Sequence, residues 1–74
     1  MIVNDLVRIA AAGGGFRLDC SKHMVSDLVR IAAASSQHGS IIILEKCNRL
    51  MVSDAVRIAA AGRGSVIFND ITNE

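Results

Sequence analysis

One eleven-residue phrase is written three times along this chain. Met24-Val25-Ser26-Asp27-Leu28-Val29-Arg30-Ile31-Ala32-Ala33-Ala34 returns as Met51-Val52-Ser53-Asp54-Ala55-Val56-Arg57-Ile58-Ala59-Ala60-Ala61. It also opens the chain as Val3-Asn4-Asp5-Leu6-Val7-Arg8-Ile9-Ala10-Ala11-Ala12. Near-identical segments adopt near-identical structures, and each unit can bury its apolar side only against a neighbour, so the repeat constrains the fold before composition is considered. Every copy has the apolar spacing of a helix: Val25, Leu28, Ile31, Ala32 and Ser35 form one stripe, with Arg30 on the opposite side. Asn4, Ser26 and Ser53 read as N-caps, because their side chains can accept from a free N–H one turn on. Asp5, Asp27 and Asp54 follow in the first turn, where a carboxylate meets the positive end of the helix dipole.

Gly13-Gly14-Gly15 and Gly62-Arg63-Gly64 read as helix stops, and the middle copy ends in a longer junction, Ser35 to Ser40. A short segment of strand character follows each stop. Phe16-Arg17-Leu18-Asp19 alternates, Ile41-Ile42-Ile43-Leu44-Glu45 is a β-branched run, and Ser65-Val66-Ile67-Phe68-Asn69 resembles it. The order α-β-α-β-α-β, in units of 22 and 27 residues between successive Asp positions, favours parallel strands joined by right-handed crossovers. The expected fold is therefore α/β. A short solenoid-like repeat of three helix–strand units carries a three-stranded parallel sheet with helices on one face. Residues 1–74 form a single domain, with units of about 1–23, 24–50 and 51–74.

Two aromatic residues, Phe16 and Phe68, are present, so the core has to be built from Ile, Val, Leu and Ala. At 74 residues such a core is marginal on its own. The net charge of +1 is spread over both signs. Arg8, Arg30 and Arg57 each have an Asp three residues earlier, which neutralises any basic stripe. Without aromatic stacking platforms as well, nucleic-acid binding is not expected. No stretch approaches membrane-spanning length, and two cysteines without a secretory leader point to a reducing, cytoplasmic setting.

Ile42-x-Leu44-x-x-Cys47, followed by an amphipathic segment ending Val56-Arg57-Ile58-Ala59, resembles the cysteine-containing leucine-rich repeat. Phe16-x-Leu18-x-x-Ser21 and Val66-x-Phe68-x-x-Ile71 can be laid on the same strand pattern. Ser21 and Ile71 stand where Cys47 does, and the family's first leucine is missing. The resemblance implies a stacked α/β repeat with a partner-binding role, and it transfers no functional residue.

Cys20, His23 and Cys47 are candidate metal ligands, with His38 as a fourth residue of the right type. Cys-x2-His with the other two far apart matches no common zinc module, and His38 belongs at the opposite end of the strand layer. Counted from the helix starts, Cys20 aligns with Cys47; counted from the strands, Ser21 does. Buried free thiols are the simpler reading, and no metal or cofactor is assigned. The glycines precede strands rather than helices, the wrong polarity for a phosphate loop. No catalytic residue is assigned either, since neither histidine has a visible acid to orient it. A small enzyme with its site at a dimer interface stays as the third reading, after an interaction module and a metal-dependent structural or sensing module.

If the sheet turns Phe16, Leu18, Ile42, Leu44, Val66 and Phe68 toward the helices, its other face carries Arg17, Ile41, Ile43, Glu45 and Ile67. Parallel sheets rarely leave a face bare, and contiguous apolar surface marks an interface. Those five residues are the expected contact surface of a homo-oligomer, a dimer being favoured, or of another protein.

Overall fold

A computed structural model of the chain describes residues 1–70. It is an α/β structure of three helices and one three-stranded parallel sheet. The elements run α1 (Val3–Ala11), β1 (Phe16–Asp19), a short 3-10 turn (Cys20–Lys22), α2 (Val25–Ser36), β2 (Ile42–Glu45), α3 (Val52–Gly62) and β3 (Val66–Phe68). Strand order follows chain order, and repeat-equivalent residues stand side by side. Phe16, Ile42 and Val66 share one row, Arg17, Ile43 and Ile67 the next, and Leu18, Leu44 and Phe68 the third. The helices follow the same order, α1 against α2 and α2 against α3. Ile71, which the family pattern places after β3, lies outside the described residues.

Leu6, Ala10, Leu28, Ile31, Ala32 and Ile58 from the helices meet Leu18, Ile42 and Leu44 from the strands in one buried cluster. Val25, Val3 and Val7 pack at its margin, so the stripe read from the sequence is the stripe that is buried. The helix starts differ from expectation by two residues. Ile2, Met24 and Met51 are the extended capping residues, and none is capped by a side chain. Asn4, Ser26 and Ser53 are thus already inside the helix. The earlier start keeps each Asp within the first turn, where the dipole acts, and draws Val3 and Val25 into the core margin. The stop of α3 differs too: Arg63, not a glycine, takes the left-handed cap at φ 51°.

At the opposite helix ends, serine hydroxyls bond to carbonyls of the last helical turns, two of which also accept a backbone N–H, Ala10 from Gly13 and Gly62 from Ser65. Ser40 Oγ donates to the Ala10 carbonyl at 2.8 Å. The hydroxyls of Ser35 and Ser65, both buried, lie 2.6 Å apart. Ser35 also reaches the Ala32 carbonyl at 2.7 Å and Ser65 the Gly62 carbonyl at 2.6 Å, so two protons are shared among three contacts. Among the described residues, no buried side-chain nitrogen or oxygen lacks a hydrogen-bond partner.

Gly15 is the tightest point between neighbouring units, because a Cβ there would sit 2.5 Å from the Ile41 carbonyl oxygen. Relief requires β1 and β2 to part, since the obstructing atom is backbone. Gly15→Ala is expected to destabilise the fold by about 1–3 kcal/mol, the range for overpacking a close contact. Urea unfolding followed by circular dichroism checks it, and an unchanged midpoint counts against the strand contact.

Candidate interaction surface and the paired thiols

Because β-strand side chains alternate, burying the Phe16 and Leu18 rows turns the middle row outward. That row is Arg17, Ile43 and Ile67, with Glu45 two residues beyond Ile43 on the same face. Ile67 is 47% exposed and Ile41, just before β2, is 45% exposed. Ile43, flanked by a strand on each side, is half-buried rather than open. Arg17 approaches Glu45 to 3.8 Å across the strand pair, and Lys46 approaches Asp19 to 3.6 Å. Both pairs are solvated, so their contribution is small. The face is apolar in its middle and charged along its rim, the usual layout of a contact patch.

On the helical side, Arg30 reaches Asp27 at 3.7 Å and Arg57 reaches Asp54 at 3.6 Å. Arg30 also donates to the Asn4 side chain of the preceding helix at 2.9 Å. Arg30 and Arg57 are thus occupied by their own acids, and Arg30 by an amide as well.

The five-residue link from β1 to α2 is one shorter than the link from β2 to α3. Lys46 takes a left-handed conformation, φ 57°, at the start of the longer link. The extra residue is accommodated there, and Cys47 comes level with Cys20 rather than with Lys22 or Ser21. The two thiols, both free and buried, lie within hydrogen-bonding reach of each other. Cys47 also donates to the Leu44 carbonyl at 3.3 Å. Burial, followed by the neighbouring Cys20 and the carboxylate of Asp70, pushes the Cys47 thiol up to about 12. Burial likewise raises Cys20, partly offset by its contact with Cys47. Both thiols are thus held in the protonated form.

Among the described residues, no three His, Cys, Asp or Glu side chains are grouped to hold a metal ion. The structure therefore joins Cys20 and Cys47 and leaves His23, half-buried at the end of the 3-10 turn, outside the pair. His38 is exposed in the α2–β2 loop, at the other end of the strands. No described helix is long and apolar enough to cross a membrane. The chain matches no family model, no curated protein and no solved structure.

Sequence reasoning passed over the apolar flank of α3, where Val52 is 80% exposed and Val56 60%. The signal was present in the repeat: the same positions in the first two units, Val3 and Val7 and Val25 and Val29, are half-buried.

Raised thiol values tie stability to pH with a definite sign. A thiol protonated in the fold and ionised in the unfolded chain contributes stability below about pH 9, the ordinary value for the group, and loses it as pH rises toward 12. The unfolding midpoint is expected to fall across that window, and Cys47→Ala to flatten the fall. Equal slopes for the two proteins would remove Cys47 as the cause.

Proposed function

We propose that this chain is a non-catalytic interaction module, a short solenoid-like stack of three units that self-associates through the outer face of its sheet. The observation carrying this reading is the apolar middle row, Ile43 and Ile67 with Ile41 beside them, on the side of the sheet away from the helices. Physical spacing supports a curved stack. Neighbouring helices need about 8–10 Å and neighbouring strands about 5 Å, so stacked helix–strand units bend with the sheet on the inner side. A concave apolar surface with Arg17 and Glu45 at its rim suits a second protein surface better than a small molecule. The preferred partner is a second copy in a homodimer, because a core this small gains stability from association. Another protein can use the same face.

A metal-dependent structural or sensing role through Cys20, His23 and Cys47 has less support, because among the described residues no third ligand is grouped with the two thiols. An enzyme with its site at a dimer interface has less still, since among the described residues neither histidine forms an ion pair with an acid within 4.0 Å. A cytoplasmic setting remains part of the proposal, consistent with two unpaired thiols.

Light scattering under native conditions separates these readings. The chain is expected to exceed monomer mass at micromolar concentration, with or without chelator, and Ile43→Lys with Ile67→Lys to reduce it to monomer mass. A double variant of unchanged mass rules out the sheet face. Loss of mass on adding chelator alone transfers the proposal to the thiols.

A further inference from the structure

Three copies of one sequence provide an internal control on exposure. Val3, Val7 and Ala10 of α1 correspond to Val25, Val29 and Ala32 of α2, and to Val52, Val56 and Ala59 of α3. In α1 and α2 the valines are half-buried and the alanines buried; in α3 all three positions are exposed. The side chains are identical, so the difference comes from what lies beside them. Among the described residues, the helix that packs extensively on α1 is α2, which identifies this flank as the one turned toward the following unit.

The opposite flank shows the converse. Ile31 and Ile58 are fully buried, and Ala34 and Ala61 are half-buried. Their counterparts in α1 are more open: Ile9 is half-buried and Ala12 exposed. Met1, Asp5, Arg8, Ile9 and Ala12 line a groove on that side. Leu50, Val52, Ala55, Val56, Ala59 and Phe68 line a more apolar groove at the other end. Within one molecule these two surfaces already meet twice, at α1–α2 and at α2–α3.

We infer that the two ends of the stack bind each other between molecules, with the α1 flank of a second copy seated on the α3 groove. The occupant is specified by the repeat itself, since each end carries the surface that covers the other inside the chain. Ile9 of the incoming copy takes the place that Ile58 holds on α2, and the small Ala55, where α2 has Leu28, leaves the groove deep enough to receive it. Arg8 takes the place of Arg30 and meets Ser53, the counterpart of the Asn4 that Arg30 bonds. The free edge of β3 gains β1 of the second copy in the register already used, Val66 beside Phe16 and Phe68 beside Leu18. Such pairing satisfies backbone groups that an open edge leaves to water. The contact is head-to-tail, so it propagates into chains or rings rather than stopping at two. It deepens the self-association proposed above and uses a different surface.

The test uses Val56→Arg, which blocks the α3 groove, and Ala12→Arg, which blocks the α1 flank. Both positions are exposed, so each variant is expected to keep the parent's circular dichroism and melting temperature. If Val56→Arg fails to fold, Val52→Arg blocks the same groove at a more exposed site. All are made in an Ile43→Lys, Ile67→Lys background, which removes the sheet-face contact, so failure of that contact and failure of this one are read separately. Sedimentation velocity of this doubly substituted parent, at monomer mass at micromolar concentration, is expected to show mass rising beyond a dimer as concentration is raised toward millimolar. Each end variant alone is expected at monomer mass, and an equimolar mixture of the two at dimer mass, because one intact groove and one intact flank remain. A parent that stays monomeric up to millimolar concentration overturns the inference. So does an end variant of unchanged mass, or a mixture that stays monomeric.

Discussion

Every other contact in this molecule depends on one seam, in which the Val–Val–Ala flank of a helix is covered by the Ile–Ala flank of the next. The seam brings α1 to α2 and α2 to α3, and with them the strands, so that repeat-equivalent residues share rows of the sheet. Alanine does much of this work through its size. Ala10 and Ala32 expose at most 1% of their surface, a closeness that larger residues would prevent. With few aromatic side chains to fill space, close approach of backbones supplies the packing density instead.

Beside the seam, a polar line closes one end of the units and a thiol pair the other. Ser35, Ser40 and Ser65 satisfy carbonyls at the helix C-termini without admitting water. Cys20 and Cys47 fill the turns after β1 and β2, where the cost of ionising them holds them as small apolar groups. Neither cluster has the features of a catalytic centre. Their chemistry is that of satisfied, protonated groups inside a repeat.

Much of this architecture was legible because both periodicities in the sequence are clean. The helical stripe Leu28–Ile31–Ala32–Ser35 and the β-branched run at Ile42–Ile43 gave the elements and their order. What was not legible turned on single residues. The helix starts shifted by two because Met24 and Met51, poor capping residues by side chain, take the extended cap position with their carbonyls engaged. The alignment of Cys47 was undecidable from counting, since the links differ by one residue and only the left-handed Lys46 shows where the excess is absorbed. The outward isoleucines were anticipated, although lateral strand contacts leave Ile43 less open than Ile41 and Ile67. The open groove on α3 was recoverable from the repeat, but only by asking what each unit presents to a neighbour.

The central claim is that position in the stack, not residue type, decides which copies of the shared phrase are buried. Placing the same substitution at repeat-equivalent sites tests it most directly: Ala32→Gln and Ala59→Gln, compared by urea unfolding at a dilution where the chain is monomeric. At Ala32 the new side chain overfills the seam, and a loss of about 1–3 kcal/mol is expected. At Ala59 it points into water on a good helix former, and a change within about 0.5 kcal/mol is expected. Equal losses at the two sites would contradict the account.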